Sequence, residues 1–229
     1  MLIKKFSYLL LLITLNAMSQ STSMGDYNSS SSRSFDLYFH EDASASAKNI
    51  EGSTYINSAF LPSKVTGLNL VTPPMRYNAY KDEIEFLKDE KTFYLTKSDS
   101  LEVKLLGTSY KYLEYQVKDG NESGFLIQLY FNIAEKVSLY KKEKVVYVEK
   151  SEAVSGYDED KPARYKKEDD KFYIKVSDKI IFMPKKKKEL LALFPNNIKD
   201  VEGFIKTNKI SLDEENDLIT LVKFLNTLK

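Results

Sequence analysis

The chain has 229 residues, with 34 Lys or Arg against 33 Asp or Glu, one histidine, no cysteine and no tryptophan. Without cysteine there are no structural disulfides, thiolate metal sites, cysteine nucleophile or lipid-modified cysteine anchor. A single histidine, His40, argues against multi-histidine zinc sites and the common Ser-His-Asp triads, and a net charge of +1 supplies no global field for nucleic acid.

Residues 1–19 have the three parts of a secretory signal peptide. Lys4 and Lys5 form a positive n-region, Phe6 to Leu15 an apolar h-region, and Ala17 and Ser19 supply small residues at −3 and −1 for cleavage between Ser19 and Gln20. An apolar run this short rises only about 15 Å as a helix, half of a bilayer's hydrocarbon core. The sequence therefore predicts an exported protein, periplasmic or at the cell surface, with no membrane span and no lipid anchor. Loss of Lys4 and Lys5 leaves 32 basic against 33 acidic residues, a net charge of −1.

Residues 20–48 begin serine-rich (QSTSMGDYNSSSSRS) and predict a flexible tether. Within it Phe35, Leu37 and Phe39 alternate with Asp36, Tyr38 and His40, which suits a short edge strand.

From residue 49 to 183 the period is two. Met75 to Tyr80, Glu83 to Phe86, Leu101 to Leu105, Tyr115 to Val117, Phe125 to Phe131, Val137 to Leu139, Val145 to Val148 and Phe172 to Val176 alternate or run apolar between turn residues. That spacing predicts an antiparallel meander, with Asp119-Gly120 the sharpest hairpin signal. Glu83 and Glu85 are expected on its wet face, and Gly120 to Gly124 (GNESG) as a hairpin loop.

At Pro184 the period changes to that of helices. Leu190, Leu191, Leu193 and Phe194 mark a first helix opened by Pro184 and stopped by Pro195; Ile198, Val201, Phe204 and Ile205 mark a second. Ser211-Leu-Asp-Glu214 has capping-box spacing and opens a third, with Leu218, Leu221, Val222, Leu225 and Leu228 on one face. The predicted fold class is α+β: an antiparallel β-rich body (meander, sandwich or half-barrel) over residues 49–183, with three short helices over 184–229 packed on it.

No G-x-S-x-G elbow, P-loop or dinucleotide fingerprint is present, so no catalytic, cofactor-binding or metal residue is assigned. Carboxylates remain, in Asp82/Glu83/Glu85, Asp158/Glu159/Asp160 and Asp169/Asp170, and a glycan hydrolase needs only two. Tyr110, Tyr112 and Tyr115 suit a sugar-binding surface, although tyrosine is also an ordinary strand residue. Lys185 to Lys188 suits an anionic envelope ligand or, more simply, a solvated helix face. Asp99-Ser100-Leu101 matches the D-[S/T]-aliphatic acceptor for O-linked glycans on exported proteins of some Gram-negative bacteria, with Ser100 the acceptor.

The run Met75 to Phe86 (MRYNAYKDEIEF), preceded by Gly52 to Asn57 (GSTYIN) and followed by Pro162 to Tyr165 (PARY) and the lysine-rich tail, resembles a group of exported proteins from Bacteroidota-type bacteria. The resemblance implies export and brings no activity, catalytic residue or ligand. Arg76, Tyr77, Asn78, Tyr80 and Asp82 are its candidate ligand-binding or structural positions, with Arg76 expected to pair with Asp82 or Glu83. The functional expectation is a non-enzymatic envelope protein binding an envelope component or a protein partner; the alternatives are a carboxylate-dependent glycan hydrolase, and an adaptor presenting Leu218, Leu221 and Leu225.

Overall fold

The computed structural model describes residues 39–41, 50–68, 71–99, 101–131, 136–152 and 160–228. The predicted signal segment with its expected Ser19–Gln20 junction, most of the predicted tether, the Asp158 and Glu159 positions and the Ser100 position expected to accept a glycan lie outside the described residues. The α+β expectation holds: antiparallel sheets form the body and three helices end the chain. Among the described residues no helix is long and apolar enough to cross a membrane.

Thirteen strands are described. In chain order they are β1 (Phe39–Glu41), β2 (Ser63–Val65), β3 (Arg76–Asn78), β4 (Glu83–Lys88), β5 (Lys91–Leu95), β6 (Glu102–Leu105), β7 (Thr108–Val117), β8 (Gly120–Tyr130), β9 (Val137–Lys142), β10 (Val145–Val148), β11 (Arg164–Lys167), β12 (Lys171–Val176) and β13 (Lys179–Phe182). Among the described residues the helices are α1 (Lys187–Ala192), α2 (Ile198–Thr207) and α3 (Glu215–Leu225), with a 3-10 turn at Pro195–Asn197. A four-stranded sheet has the order β1-β5-β4-β3, a seven-stranded sheet the order β13-β12-β9-β8-β7-β6-β2, and β10 and β11 form a separate ribbon. β1 is thus an edge strand, paired with β5.

Period-two alternation gives the large sheet two buried faces. On one, Val65, Val103, Leu105 and Phe125 pack against Tyr77, Ile84, Phe86 and Leu95 of the small sheet. Further along the same face, Val137, Leu139 and Ile174 pack against Leu190, Val201, Leu218, Leu221 and Val222 of the helices. Phe204 and Phe224 stack with centroids 4.0 Å apart, joining α2 to α3. On the opposite face the sheet curls on itself, so that Ile180 of β13 joins Tyr115 of β7, Leu126 of β8, Tyr140 of β9 and Tyr173 of β12.

Several local expectations are corrected. Leu218, Leu221 and Leu225 are buried against the sheet, so they form no exposed stripe for an adaptor. The helix predicted from Pro184 starts at Lys187, and the one predicted from Ser211 starts at Glu215 with no side-chain cap. Because that start lies beyond the capping box, the Ser211 amide donates instead to Asp217, at 2.8 Å. Asp119-Gly120 does make the β7–β8 hairpin, but Gly120 to Gly124 is strand and not loop, paired against Val117 to Leu113.

Candidate functional site

The β8–β9 ladder runs from Tyr130↔Leu139 through Gln128↔Tyr140 to Ile127↔Lys141 and then parts. Its next backbone groups, on Phe125, need other partners, since an unpaired buried amide or carbonyl is costly. Asp82 and Lys142 supply them. The Phe125 N–H donates to the Asp82 carboxylate, 3.3 Å from each oxygen, and the Phe125 carbonyl accepts from Lys142 Nζ at 3.0 Å. Lys142 Nζ also lies 2.6 Å from Asp82 Oδ1 and 3.4 Å from the Tyr77 hydroxyl, which itself donates to Asp82 Oδ1 at 2.6 Å.

Local structure delivers each partner. Asp82 occupies the β3–β4 turn at φ 57°, a left-handed conformation that Asp tolerates better than most residues. Lys142 shares the inward face of β9 with Tyr140, and is 8% exposed. Gly124 makes room: a Cβ there would collide with Asp82 Oδ2 and stand 2.9 Å from Lys142 Nζ. Burial pulls the Lys142 pKa down, against the opposing pull of Asp82. All three ammonium donors are engaged, so Lys142 is a fixed structural cation and not a free base. Burial, then the Asp82 charge, pushes the Tyr77 hydroxyl up, which keeps it a donor.

Beside this pair opens a cleft of about 1100 Å³, a little larger than the roughly 300–1,000 Å³ of ordinary small-ligand sites. Its lining includes Tyr80 from the β3–β4 turn, Tyr115 and Gln116 from β7, Asn121 and Glu122 from β8, Lys144, and Lys171, Tyr173 and Phe182 from β12 and β13. Tyr80 is 41% exposed and Phe182 is 40% exposed. The Tyr115 and Tyr173 rings lie 4.8 Å apart, and the Tyr115 hydroxyl donates to Glu122 at 3.2 Å. Burial raises the Tyr115 hydroxyl and pushes that of Tyr173 to about 12, so both are neutral donors at physiological pH. The lining thus combines exposed rings, neutral hydroxyls, amides and both signs of charge. Among the described residues no group of three His, Cys, Asp or Glu side chains stands close enough to hold a metal ion.

The resemblance motif divides between two places. Tyr80 and Asp82 line the cleft and Tyr77 backs Asp82, whereas Arg76 and Asn78 belong to a separate network. Arg76 pairs with neither Asp82 nor Glu83 but with Glu85, at 2.6 Å, because the β3–β4 register sets them opposite each other. Its guanidinium also donates to the Tyr55 hydroxyl and the Ser58 carbonyl, and lies 3.8 Å from the Tyr55 ring centroid. Glu85, expected on a wet face, is 1% exposed, covered by the Tyr55 to Phe60 segment that Arg76 holds. Asn78 Oδ1 accepts from the Tyr80 and Lys81 amides and shapes the turn. Glu83 pairs with Lys97 at 2.8 Å.

Of the three tyrosines suited to a sugar surface, only Tyr115 lines the cleft; Tyr110 and Tyr112 pack against Tyr77 and Phe125. Lys186 and Lys187 of the lysine run pair with Glu189 and Glu202. Sequence reasoning missed Lys142, Gly124 and Phe182. A signal existed for the first two: Ser138, Tyr140 and Lys142 share one strand face, and glycine inside a strand marks close approach.

A second, smaller crevice of about 300 Å³ lies on the other face, where Tyr110, Lys141, Glu143 and Glu215 converge. Lys141 Nζ stands 3.7 Å from Glu143, 2.9 Å from Glu215 and 3.8 Å from Asp170. Burial raises the Glu143 carboxyl despite that ammonium.

Comparison with family models, with curated proteins and with solved structures gives no match, so the cleft is interpreted from its own residues.

Proposed function

We propose that this is an exported, non-enzymatic protein of the cell envelope that binds an envelope component in the cleft beside Asp82 and Lys142. Support for export is the n-region, h-region and small-residue exit of residues 1–19. The observation that carries the binding reading is the pair Tyr80 and Phe182: two large rings, one from the β3–β4 turn and one from β13, each about two-fifths exposed, on the lining of one cleft. Rings left uncovered beside convergent amides and charges are what a ligand site supplies. Lys142, the one buried cation there, is consumed by structural bonds, which favours binding over catalysis.

The test is retention of the protein, produced from Gln20, on its native envelope. Tyr80→Ala and Phe182→Ala should each weaken retention about tenfold, the loss of one good aromatic contact. Retention unchanged in both variants would overturn the assignment.

A second reading, a carboxylate-dependent glycan hydrolase, is favoured by one observation: Glu143 is a half-buried carboxyl with a raised pKa, and Glu215 shares its ammonium partner. A raised acid beside a second carboxylate is the glycosidase requirement. It expects new reducing ends from envelope glycan, abolished by Glu143→Gln; no release by the wild-type protein ends it.

A further inference from the structure

Resting on the binding reading above, we propose that the ligand is a glycan chain, and that it runs out of the cleft over Tyr80 onto Tyr165 and Tyr147 of the β10–β11 ribbon. Tyr80 lines the cleft, and its ring lies 5.0 Å from that of Tyr165, which in turn lies 5.9 Å from that of Tyr147. Tyr147 and Tyr165 face each other in register across the ribbon, and Tyr147 is 42% exposed. Three consecutive rings therefore leave the cleft as one track. Each contact is edge-on, near 60°, which fixes the rings before any ligand arrives and lowers the ordering cost of binding.

The chemistry of the lining selects among polymers. Lys118, Lys142, Lys144 and Lys171 stand against Asp82, Asp119 and Glu122, and Lys142 is already paired with Asp82. That leaves no strong field for a polyanion such as nucleic acid. Carboxylates, amides and hydroxyls of Glu122, Asn121, Gln116 and Ser123 suit the mixed donor and acceptor pattern of sugar hydroxyls. Pyranose rings offer apolar C–H faces to the aromatic rings at the same time, a combination that an acyl chain lacks.

The experiment uses the native envelope as probe after three separate treatments. Periodate, which opens sugar rings at vicinal diols, should abolish retention; protease digestion and chloroform–methanol extraction should leave it intact. Tyr147→Ala should weaken binding to long glycan strands released from that envelope about fivefold, with Tyr147→Phe restoring it, and should leave binding of the shortest released fragments unchanged. Retention that survives periodate but is lost to protease or to solvent overturns the glycan assignment in favour of a protein or a lipid. Tyr147→Ala without effect on long strands overturns the track. If untreated envelope retains no wild-type protein, it is the binding reading itself that fails.

Discussion

Lys142 holds its ammonium 2.6 Å from the Asp82 carboxylate at the point where β8 and β9 part, and the two residues lie 60 positions apart in the chain. Together they take the place of ladder bonds for Phe125 and tie the β3–β4 turn of the small sheet to the large one. The cleft wall at Tyr80 is carried on that same turn.

Removing one partner therefore strands the others. Lys142→Met should lower stability by about 2–4 kcal/mol, since the Phe125 carbonyl and the Asp82 charge lose their partner. Lys142→Met with Asp82→Asn should recover part of that loss. Urea unfolding of the single and double variants checks both statements, and a neutral Lys142→Met contradicts the stitching role.

Two glycines should respond oppositely to alanine. At Gly203, inside α2, an added Cβ meets nothing within 4 Å, so Gly203→Ala should stabilise by about 0.5–1 kcal/mol. At Gly124 the Cβ meets Asp82 and Lys142, so Gly124→Ala should destabilise by about 1–3 kcal/mol. Thermal unfolding of the two variants side by side measures the contrast.

Arg76 should matter for folding and not for binding. Arg76→Leu leaves Glu85 buried without its cation and should lose about 3–5 kcal/mol. Folded Arg76→Leu protein, below its unfolding transition, should still be retained on the envelope like wild type. Retention lost in step with Tyr80→Ala would instead place Arg76 in the ligand site.

Glu143 gives a pH dependence of known sign. Its folded pKa is raised by burial, so the folded state binds this proton more tightly than the unfolded state. Between the ordinary glutamate pKa and the raised value, stability contributed by this group falls as pH rises, and above that window the loss is constant. Lys141, which pairs with it, and the nearby Lys167 charge temper the effect, while the Asp170 carboxylate adds to it. The Glu143→Gln variant should lack this fall, so its stability relative to wild type should rise with pH through the window and then level. Urea midpoints across the acid range check it, and parallel curves for the two proteins refute it.

How far the fold was legible follows from where each residue finds its partners. Period-two runs such as Val103/Leu105 and Val137/Leu139 declared their strands because burial repeats locally along a strand. The helical stripe of Leu218, Leu221 and Leu225 declared its face for the same reason, but not what would cover it. Glu85 misled, since an acid in alternation ordinarily marks a wet face, and here Arg76 and Tyr55 bury it from 9 and 30 residues away. Lys142 was invisible in the Lys141-Lys142-Glu143-Lys144 run because its partners lie on β3, on β8 and in the β3–β4 turn. Tyr80 read only as the end of a strand and Phe182 carried no signal of its own; they reach one cleft from the β3–β4 turn of the small sheet and from β13 of the large one, which no local pattern records.

Hydroxyl-radical footprinting with and without envelope glycan strands tests the central claim most directly, because it reads the exposed rings one by one. The account predicts protection of Tyr80, Phe182 and Tyr147 on binding, with the exposed Leu106 and Val71 unchanged. Protection confined to Leu106, Val71 or the Glu143 crevice, with Tyr80 and Phe182 oxidised as in the free protein, would contradict it.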